Sequence, residues 1–274
     1  MGTWGAGLYS SDDALDLRSS IAAVCRLPHD GDRLVELLSN LNPESRDATS
    51  EGHPTFWLVV ADQFHKRGIR SVAQERALAI IADGSDLAML AKLGMNDAGL
   101  RQRKRLLAEL ARELRSRPPE KPRNVMKKPQ QLLFKSGDVL AFRIDDRGDC
   151  YNPYEPAPAT AGFEPIGWDG CLILSCGLAL EYFAWYEVGT TKAPWKKRPT
   201  LKQVIDRLDP ERPTRAGTMS KSHVARMGLE LLGNTPLQGV EPPPQEYLIG
   251  TTAQDISVAN VLSRFASPGK VKFE

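Results

Sequence analysis

The sequence has few cysteines and no long apolar run. Its 274 residues include only four cysteines, and none of them belongs to a C-x-x-C motif. We therefore expect free structural thiols rather than a disulfide framework or a thiolate zinc site, as in a reducing compartment. No stretch of about 18 consecutive apolar residues is present, so the sequence predicts no membrane-spanning helix and no membrane partner.

The first residues also lack the pattern of a secretory signal peptide. Such a peptide places an apolar core after a basic start. Here Asp12, Asp13 and Asp16 occupy the positions where that core would lie. The sequence therefore predicts a cytoplasmic protein.

Motifs with recognisable catalytic spacing are missing as well. The histidines form no H-x-H, H-x-x-x-H or H-E-x-x-H pattern, and no G-x-S-x-G nucleophile elbow occurs. We predict no catalytic residue, no metal and no cofactor. A hydrolase with an unrecognised site stays open, for example one that pairs Cys171 or Cys176 with His223. The alternative for these two thiols is an inert place in an apolar core.

An acidic segment, Asp145–Cys150, has the letters DDRGDC. Carboxylate oxygens are ligands that calcium prefers, but the ligand spacing and final glutamate of an EF-hand are missing here. A turn between two strands is the better interpretation of this segment.

Positive charge is concentrated in one segment of the chain. The net charge is only +2, yet residues 101–128 contain eleven Lys/Arg and three Asp/Glu, whereas the first hundred residues are acidic. The cluster of Arg101, Arg103, Lys104 and Arg105 could bind nucleic-acid phosphates or an acidic protein. It could instead be solvated or dock against the acidic residues. Glu109 and Glu113 interrupt the basic pattern, and no aromatic residue is present for base stacking.

Residue patterns predict an α+β protein with an all-helical N-terminal domain and a small antiparallel-sheet α+β domain. The domains are residues 1–116 and 131–274, joined by a basic, proline-rich linker at 117–130. Apolar residues at helical spacing and capping residues predict the N-terminal helices. These predictions are a helix after Ser10 or Ser11, one capped by Asp32, two at 55–66 and 72–82, a short one at 87–93, and a long one capped by Asp97.

The second half has the shorter apolar runs of a sheet. We expect two short strands around a turn at Ser136-Gly137 and a hairpin of 171–176 and 179–188 that is broken at Gly177. Helices are predicted at 201–208 and 222–232. A loop at 241–250 leads into a strand, and Asp255 caps a final helix to Phe265.

The opening letters, MGTWGAGLYSSDDALDL, carry a resemblance. Trp4, Gly5, Gly7 and Tyr9, followed by D-x-A-x-D ending at Asp16, resemble the start of a bacterial domain family of unassigned function. The resemblance implies no activity. Trp4 and Tyr9 either anchor this segment to the domain or form an exposed edge that binds a partner.

The C-terminal half resembles the sheet-containing immunity proteins of bacterial toxin systems. The residues that carry this likeness are the strand opening Gly137–Leu140 and the aromatic run Phe183–Tyr186. The resemblance implies a protein that neutralises a toxin by covering its surface.

A tryptophan lies in a second basic stretch, TTKAPWKKRPT. Trp195, with Lys196, Lys197 and Arg198, is either an interface anchor or the pin of a loop. Together these features predict a non-catalytic protein that binds another protein, most concretely an immunity protein whose partner is a cognate toxin. The alternative is a nucleic-acid-associated regulatory protein that uses Arg101–Lys128.

Overall fold

The fold combines a helical N-terminal part with a C-terminal antiparallel sheet. The computed structural model describes residues 5–120, 123–153, 162–216 and 220–237. Contacts divide the chain into two compact units between Lys127 and Lys128. The α+β class predicted from the sequence is confirmed.

Six helices and one short 3₁₀ turn form the first unit as far as it is described. They are α1 (Asp12–Val24), α2 (Gly31–Leu41), the 3₁₀ turn (Pro43–Arg46), α3 (Gly52–Lys66), α4 (Ala73–Asp83), α5 (Ser85–Lys92) and α6 (Asp97–Arg115). Helix α3 lies in the centre and packs against α1, α4, α5 and α6. Its residues from Phe56 to Phe64 are all buried. An unbroken buried run of this kind is expected of a helix that is covered on every side.

Side-chain caps determine where three of these helices begin. The Ser11 hydroxyl accepts a hydrogen bond from the Ala14 N–H, so the predicted cap of α1 is confirmed. The caps predicted at Asp32 and Asp97 are wrong, because Asp30 caps α2 and Asn96 caps α6. Both true caps have extended backbones, and this lets the side-chain oxygen reach the free N–H groups of the first turn. Asp32 instead accepts a hydrogen bond from the Val72 N–H at 2.8 Å.

The second unit is built on a five-stranded sheet. The strands are β1 (Asp138–Ile144), β2 (Gly167–Ala179), β3 (Phe183–Thr191), β4 (Leu208–Ala216) and β5 (Glu230–Asn234). Their order is β4-β3-β2-β1-β5, and every pairing is antiparallel. Two short helices are described with the sheet, α7 (Leu201–Asp206) and α8 (Lys221–Met227).

Both faces of the sheet are covered. On one face, Leu140, Phe142 and Tyr186 pack with Met227 of α8. On the other face, Val139 and Leu172 pack with residues that include Trp195 and Val204 of α7. The alternation of side chains along a strand assigns neighbouring residues to opposite faces. A sheet buried on both faces explains why β1 lacks a polar–apolar alternation in the sequence.

The turn between β2 and β3 lies three residues beyond the predicted break at Gly177. Leu180 and Glu181 make this turn with positive φ angles of 48° and 63°. Gly177 instead belongs to β2, opposite Trp185. A Cβ atom at Gly177 would lie 3.1 Å from the Trp185 ring, so the glycine makes room for the indole.

Two other predictions for this unit are corrected by long-range pairing. The helix predicted at 222–232 ends at Met227, and Gly228 then adopts a left-handed conformation before β5 begins. Pairing with β1 decides the conformation of β5. The strand predicted before Ser136 does not form, and the Leu133 N–H donates to the Tyr186 hydroxyl instead. The loop at 241–250 and the helix at 255–265 lie outside the described residues.

In the part of the chain that the structure describes, no helix is both long enough and apolar enough to cross a bilayer.

Replacing Gly137 by alanine should destabilise the second unit strongly. Gly137 has φ 87°, and a Cβ atom there would lie 2.1 Å from the carbonyl oxygen of Thr235. We expect a loss of unfolding free energy of about 3 kcal/mol or more, from left-handed strain and backbone displacement together. Urea unfolding followed by circular dichroism measures it.

The matched control is Gly228→Ala. Gly228 also has a positive φ, 64°, but a Cβ atom there would meet nothing within 4 Å. This substitution should lower the free energy of unfolding by only about 1 kcal/mol, because only the left-handed strain remains. Equal losses for the two variants would show that the predicted clash at Gly137 is absent.

Candidate functional site

Arg103 is a buried side chain of α6 and forms an internal ion pair. It is 4% exposed, and Asp86 of α5 is 2% exposed. The guanidinium donates to both carboxylate oxygens of Asp86, at 2.9 and 2.8 Å. Its third nitrogen donates to the carbonyl of Gly7 at 2.9 Å. Arg103 is therefore not a surface contact for a partner, and it follows the alternative in which a basic residue docks against an acidic residue of the same unit.

The Arg103 guanidinium also holds the segment that precedes α1. Carbonyl oxygens of the segment before α1 accept hydrogen bonds from Arg103, so the backbone must approach the guanidinium closely. A Cβ atom at Gly7 would lie 2.7 Å from the Ser10 hydroxyl oxygen. Trp4, the other member of the predicted edge, lies outside the described residues.

Tyr9 is held by a hydrogen-bonded cluster on α3. Its hydroxyl donates to the carboxylate of Asp62 and accepts from the amide of Gln63. Lys66 completes the cluster, with its ammonium 2.9 Å from Asp62. Burial, with the help of Asp62, raises the pKa of Tyr9. The structure thus favours the anchoring role of Tyr9 over the role of an exposed partner contact.

A cleft of about 700 Å³ opens in the first unit. Side chains of α1, α3, α5 and the 3₁₀ turn line it. We call it the acidic cleft and define it by four carboxylates and an apolar lining. The carboxylates belong to Asp13, Asp16, Glu44 and Glu51, and the apolar residues are Leu17, Pro54, Phe56, Met89, Leu90 and Leu93.

Local structure sets the position of each carboxylate. Asp13 and Asp16 are three residues apart on α1 and therefore share one helix face. Glu51 directly precedes α3, and the Glu44 side chain packs over Gly52, where a Cβ atom would lie 2.6 Å from Glu44 Cγ. The missing side chain of Gly52 leaves room for Glu44 at the start of α3, and both glutamates line the cleft.

The electrostatics of the cleft are one-sided. All four carboxylates are solvent-exposed, and none forms an ion pair with another described residue. Asp86 also lines the cleft, but its charge is neutralised by the ion pair with Arg103. Among the described residues that line the cleft, none is Lys, Arg or His. Leu93, 47% exposed, adds an apolar side chain that is open to solvent. The arrangement suits a ligand with positive charges and an apolar face.

The other basic residues predicted on α6 are on the surface. Arg101, Lys104 and Arg105 are exposed, unlike Arg103 between them. In the second unit Lys196, Lys197 and Arg198 are also exposed, and Arg198 forms an ion pair with Glu230. The predicted basic residues therefore separate into exposed side chains and one buried arginine.

Trp195 pins its loop rather than anchoring an interface. It is 6% exposed, and its backbone exchanges two hydrogen bonds with Trp168, at 2.8 and 2.7 Å. The indole packs in the apolar cluster with Val139 and Val204, and the Arg207 guanidinium lies 5.0 Å from its ring centre. Because the ring is buried, this side chain is not available to a partner.

The acidic segment after β1 forms a tight turn. Asp145 is buried, and its carboxylate accepts hydrogen bonds from the backbone and the guanidinium of Arg147. Gly148 has φ 85°, and the backbone of Cys150 pairs with that of Ile144 in an isolated antiparallel β-bridge. Among the described residues, no group of three or more His, Cys, Asp or Glu could hold a metal ion.

The four cysteines form no disulfide. Cys25, Cys150 and Cys171 are buried, and Cys176 is half-buried. Burial raises the pKa of Cys25 to about 11 and also raises the pKa values of Cys171 and Cys176. The geometry of Cys171 favours the inert alternative, because burial disfavours the thiolate that a nucleophile needs.

Comparison with other proteins gives no match: neither a family model, nor a curated protein, nor a solved structure corresponds to this chain. The resemblances in the two halves of the sequence therefore stay predictions.

Removing the buried guanidinium should destabilise the first unit. Arg103→Met leaves Asp86 as a buried charge without its partner, so we expect a loss of unfolding free energy of about 3–5 kcal/mol. Arg105→Met, the same change at an exposed site of α6, should cost less than about 0.5 kcal/mol. Urea unfolding of both variants measures the difference.

A double variant separates the ion pair from simple packing. Asp86→Leu/Arg103→Met replaces both charges by apolar groups and should recover most of the loss. If the double variant is as unstable as Arg103→Met, the unpaired carboxylate is not the cause.

Thiol reactivity should follow burial. In the folded protein at about pH 8, Cys176 should react with a disulfide reagent first, while the other three thiols react only after denaturation. A raised pKa lowers the thiolate fraction at that pH, so even Cys176 should react more slowly than a free thiol. Mass spectrometry of the modified peptides measures the order, and Cys176→Ser should remove the early phase. Early modification of Cys171 would contradict the buried position of this thiol.

Proposed function

We propose that this chain is a non-catalytic, cytoplasmic bacterial protein that binds another protein, most concretely an immunity protein that neutralises a toxin by occluding its surface. The observation that carries the proposal is the acidic cleft. Its one-sided charge and apolar lining are features of a recognition surface. The resemblance of the C-terminal half to immunity proteins points to the same class of function.

The chemistry of the cleft supports a basic partner. Four carboxylates that form no ion pair with a described residue favour a partner that brings lysine or arginine side chains. The apolar side chains below them, together with exposed Leu93, can bury an apolar face of the same partner. Burial supplies affinity, at about 25 cal/mol per Å² of apolar surface, and charge supplies selectivity and a fast encounter.

The position of the carboxylates favours a macromolecule over an enclosed small molecule. Because Asp13, Asp16, Glu44 and Glu51 are exposed to solvent, they would contact a surface that lies across the cleft. A toxin that acts on an anionic substrate needs a basic functional surface. A protein that covers this surface with carboxylates would prevent the substrate from binding.

The test is capture of the partner from nuclease-treated lysate of the source cells. The wild-type protein should retain a stoichiometric protein with a basic surface, and Asp16→Asn/Glu51→Gln should weaken its binding at least about tenfold, since two charge contacts are lost. Titration calorimetry with the purified partner gives the affinities. The partner expressed alone should stop growth, and co-expression of the wild-type chain should restore it.

The matched control is Asp12→Asn/Glu75→Gln. It removes the same two charges from exposed positions of α1 and α4 that do not line the cleft. Its affinity should stay within about twofold of wild type, apart from a small long-range charge effect. A partner that binds the cleft variant as tightly as the control variant would refute this assignment of the surface. A partner without growth inhibition would refute the immunity function alone.

A further inference from the structure

Five exposed cations lie along one side of α6, and none of them lines the acidic cleft. We call them the basic stripe: Arg101, Lys104, Arg105, Arg112 and Arg115. At about 100° per residue, they fall within an arc of about 100° of the helix circumference. From Arg101 to Arg115 they extend over fourteen residue steps, which is about 21 Å along the helix axis.

The acidic residues of α6 lie at the sides and at the start of this surface. Glu109 and Glu113 fall about 40° and 80° beyond the edge of the arc, so they flank the stripe instead of interrupting it as the sequence suggested. Asp97 shares the arc but lies one turn ahead of Arg101, where the helix dipole favours a carboxylate. From Arg101 onwards, the surface carries one sign of charge.

The stripe is exposed and is not neutralised by ion pairs. All five side chains are exposed to solvent. The salt bridges in the described parts of the chain include none of them. Arg103 is the one arginine of α6 that faces the interior of the unit. Its charge is neutralised there by Asp86, so the buried side of this basic helix carries no unpaired cation.

The composition of the stripe discriminates between anionic partners. Protein interfaces are anchored by aromatic or apolar side chains at their centre, and single-stranded nucleic acids are bound by aromatic stacking. Ala108 is the uncharged residue between the five cations, and no aromatic side chain occurs on α6. Affinity from such a surface is electrostatic, as in contacts with the phosphates of a duplex.

We propose that the basic stripe of α6 binds the phosphate backbone of duplex nucleic acid without reading its sequence. Each cation that contacts a phosphate releases condensed counterions, and the small Ala108 lets the backbone approach the helix. The inference is separate from the protein-binding proposal, because no residue of the stripe lines the acidic cleft.

The probe is a fluorescein-labelled DNA duplex of about 20 base pairs, with binding to the full chain followed by anisotropy between about 50 and 200 mM salt. Five phosphate contacts give a slope of log K against log[salt] of about −4.5. Arg105→Gln/Arg112→Gln should reduce the slope to about −2.7 and weaken binding at least about tenfold at the lowest salt. A duplex of unrelated sequence should bind equally well.

The matched control is Arg33→Gln/Arg70→Gln, which removes two exposed positive charges from outside α6. The duplex affinity of this control variant should stay within about twofold of the wild-type affinity at 200 mM salt, where long-range charge effects are screened. Absence of duplex binding at the lowest salt would overturn the proposal, and so would equal affinity of the stripe variant and the control. Tighter binding to a single strand of the same length, or to polyglutamate, would also overturn it.

Discussion

The buried ion pair between Asp86 and Arg103 is the constraint on which the first unit depends. It joins α5 to α6, and through the Gly7 carbonyl it also holds the segment that enters α1. A guanidinium in an apolar interior is tolerated only when its charge and donors are satisfied. Since α1 and α5 line the acidic cleft and α6 carries the basic stripe, the same contact sets the relative positions of the elements that form both surfaces.

The helical period separates one basic cluster into two roles. Arg101 and Arg103 are two residues apart, which places them about 200° apart around the helix. One therefore faces solvent and the other faces Asp86. The first unit thus presents carboxylates at the cleft and cations along α6. A net charge of +2 conceals this separation, and the two surfaces would select partners of opposite charge.

In the second unit, Cys171 and Trp195 have structural roles. Because α7 and α8 pack with opposite faces of the sheet, Cys171 and Trp195 are buried. A tryptophan in a basic loop has the composition of an interface anchor, yet here the indole covers the sheet while the neighbouring lysines stay exposed. Composition could not distinguish these roles, because both need the same side chains.

Local chemistry in the sequence was sufficient for the fold class, the sites of most helices in the first unit and a serine cap at Ser10 or Ser11, because periodicity and capping act over a few residues. Contacts between distant residues decided the rest. Pairing with β1 decided that residues after Gly228 form a strand, and Asp86 decided that Arg103 is buried. The acidic cleft combines residues of α1, α3, α5 and the 3₁₀ turn, whose carboxylates are scattered in the sequence. Only the packing of these elements around α3 brings those charges to one surface.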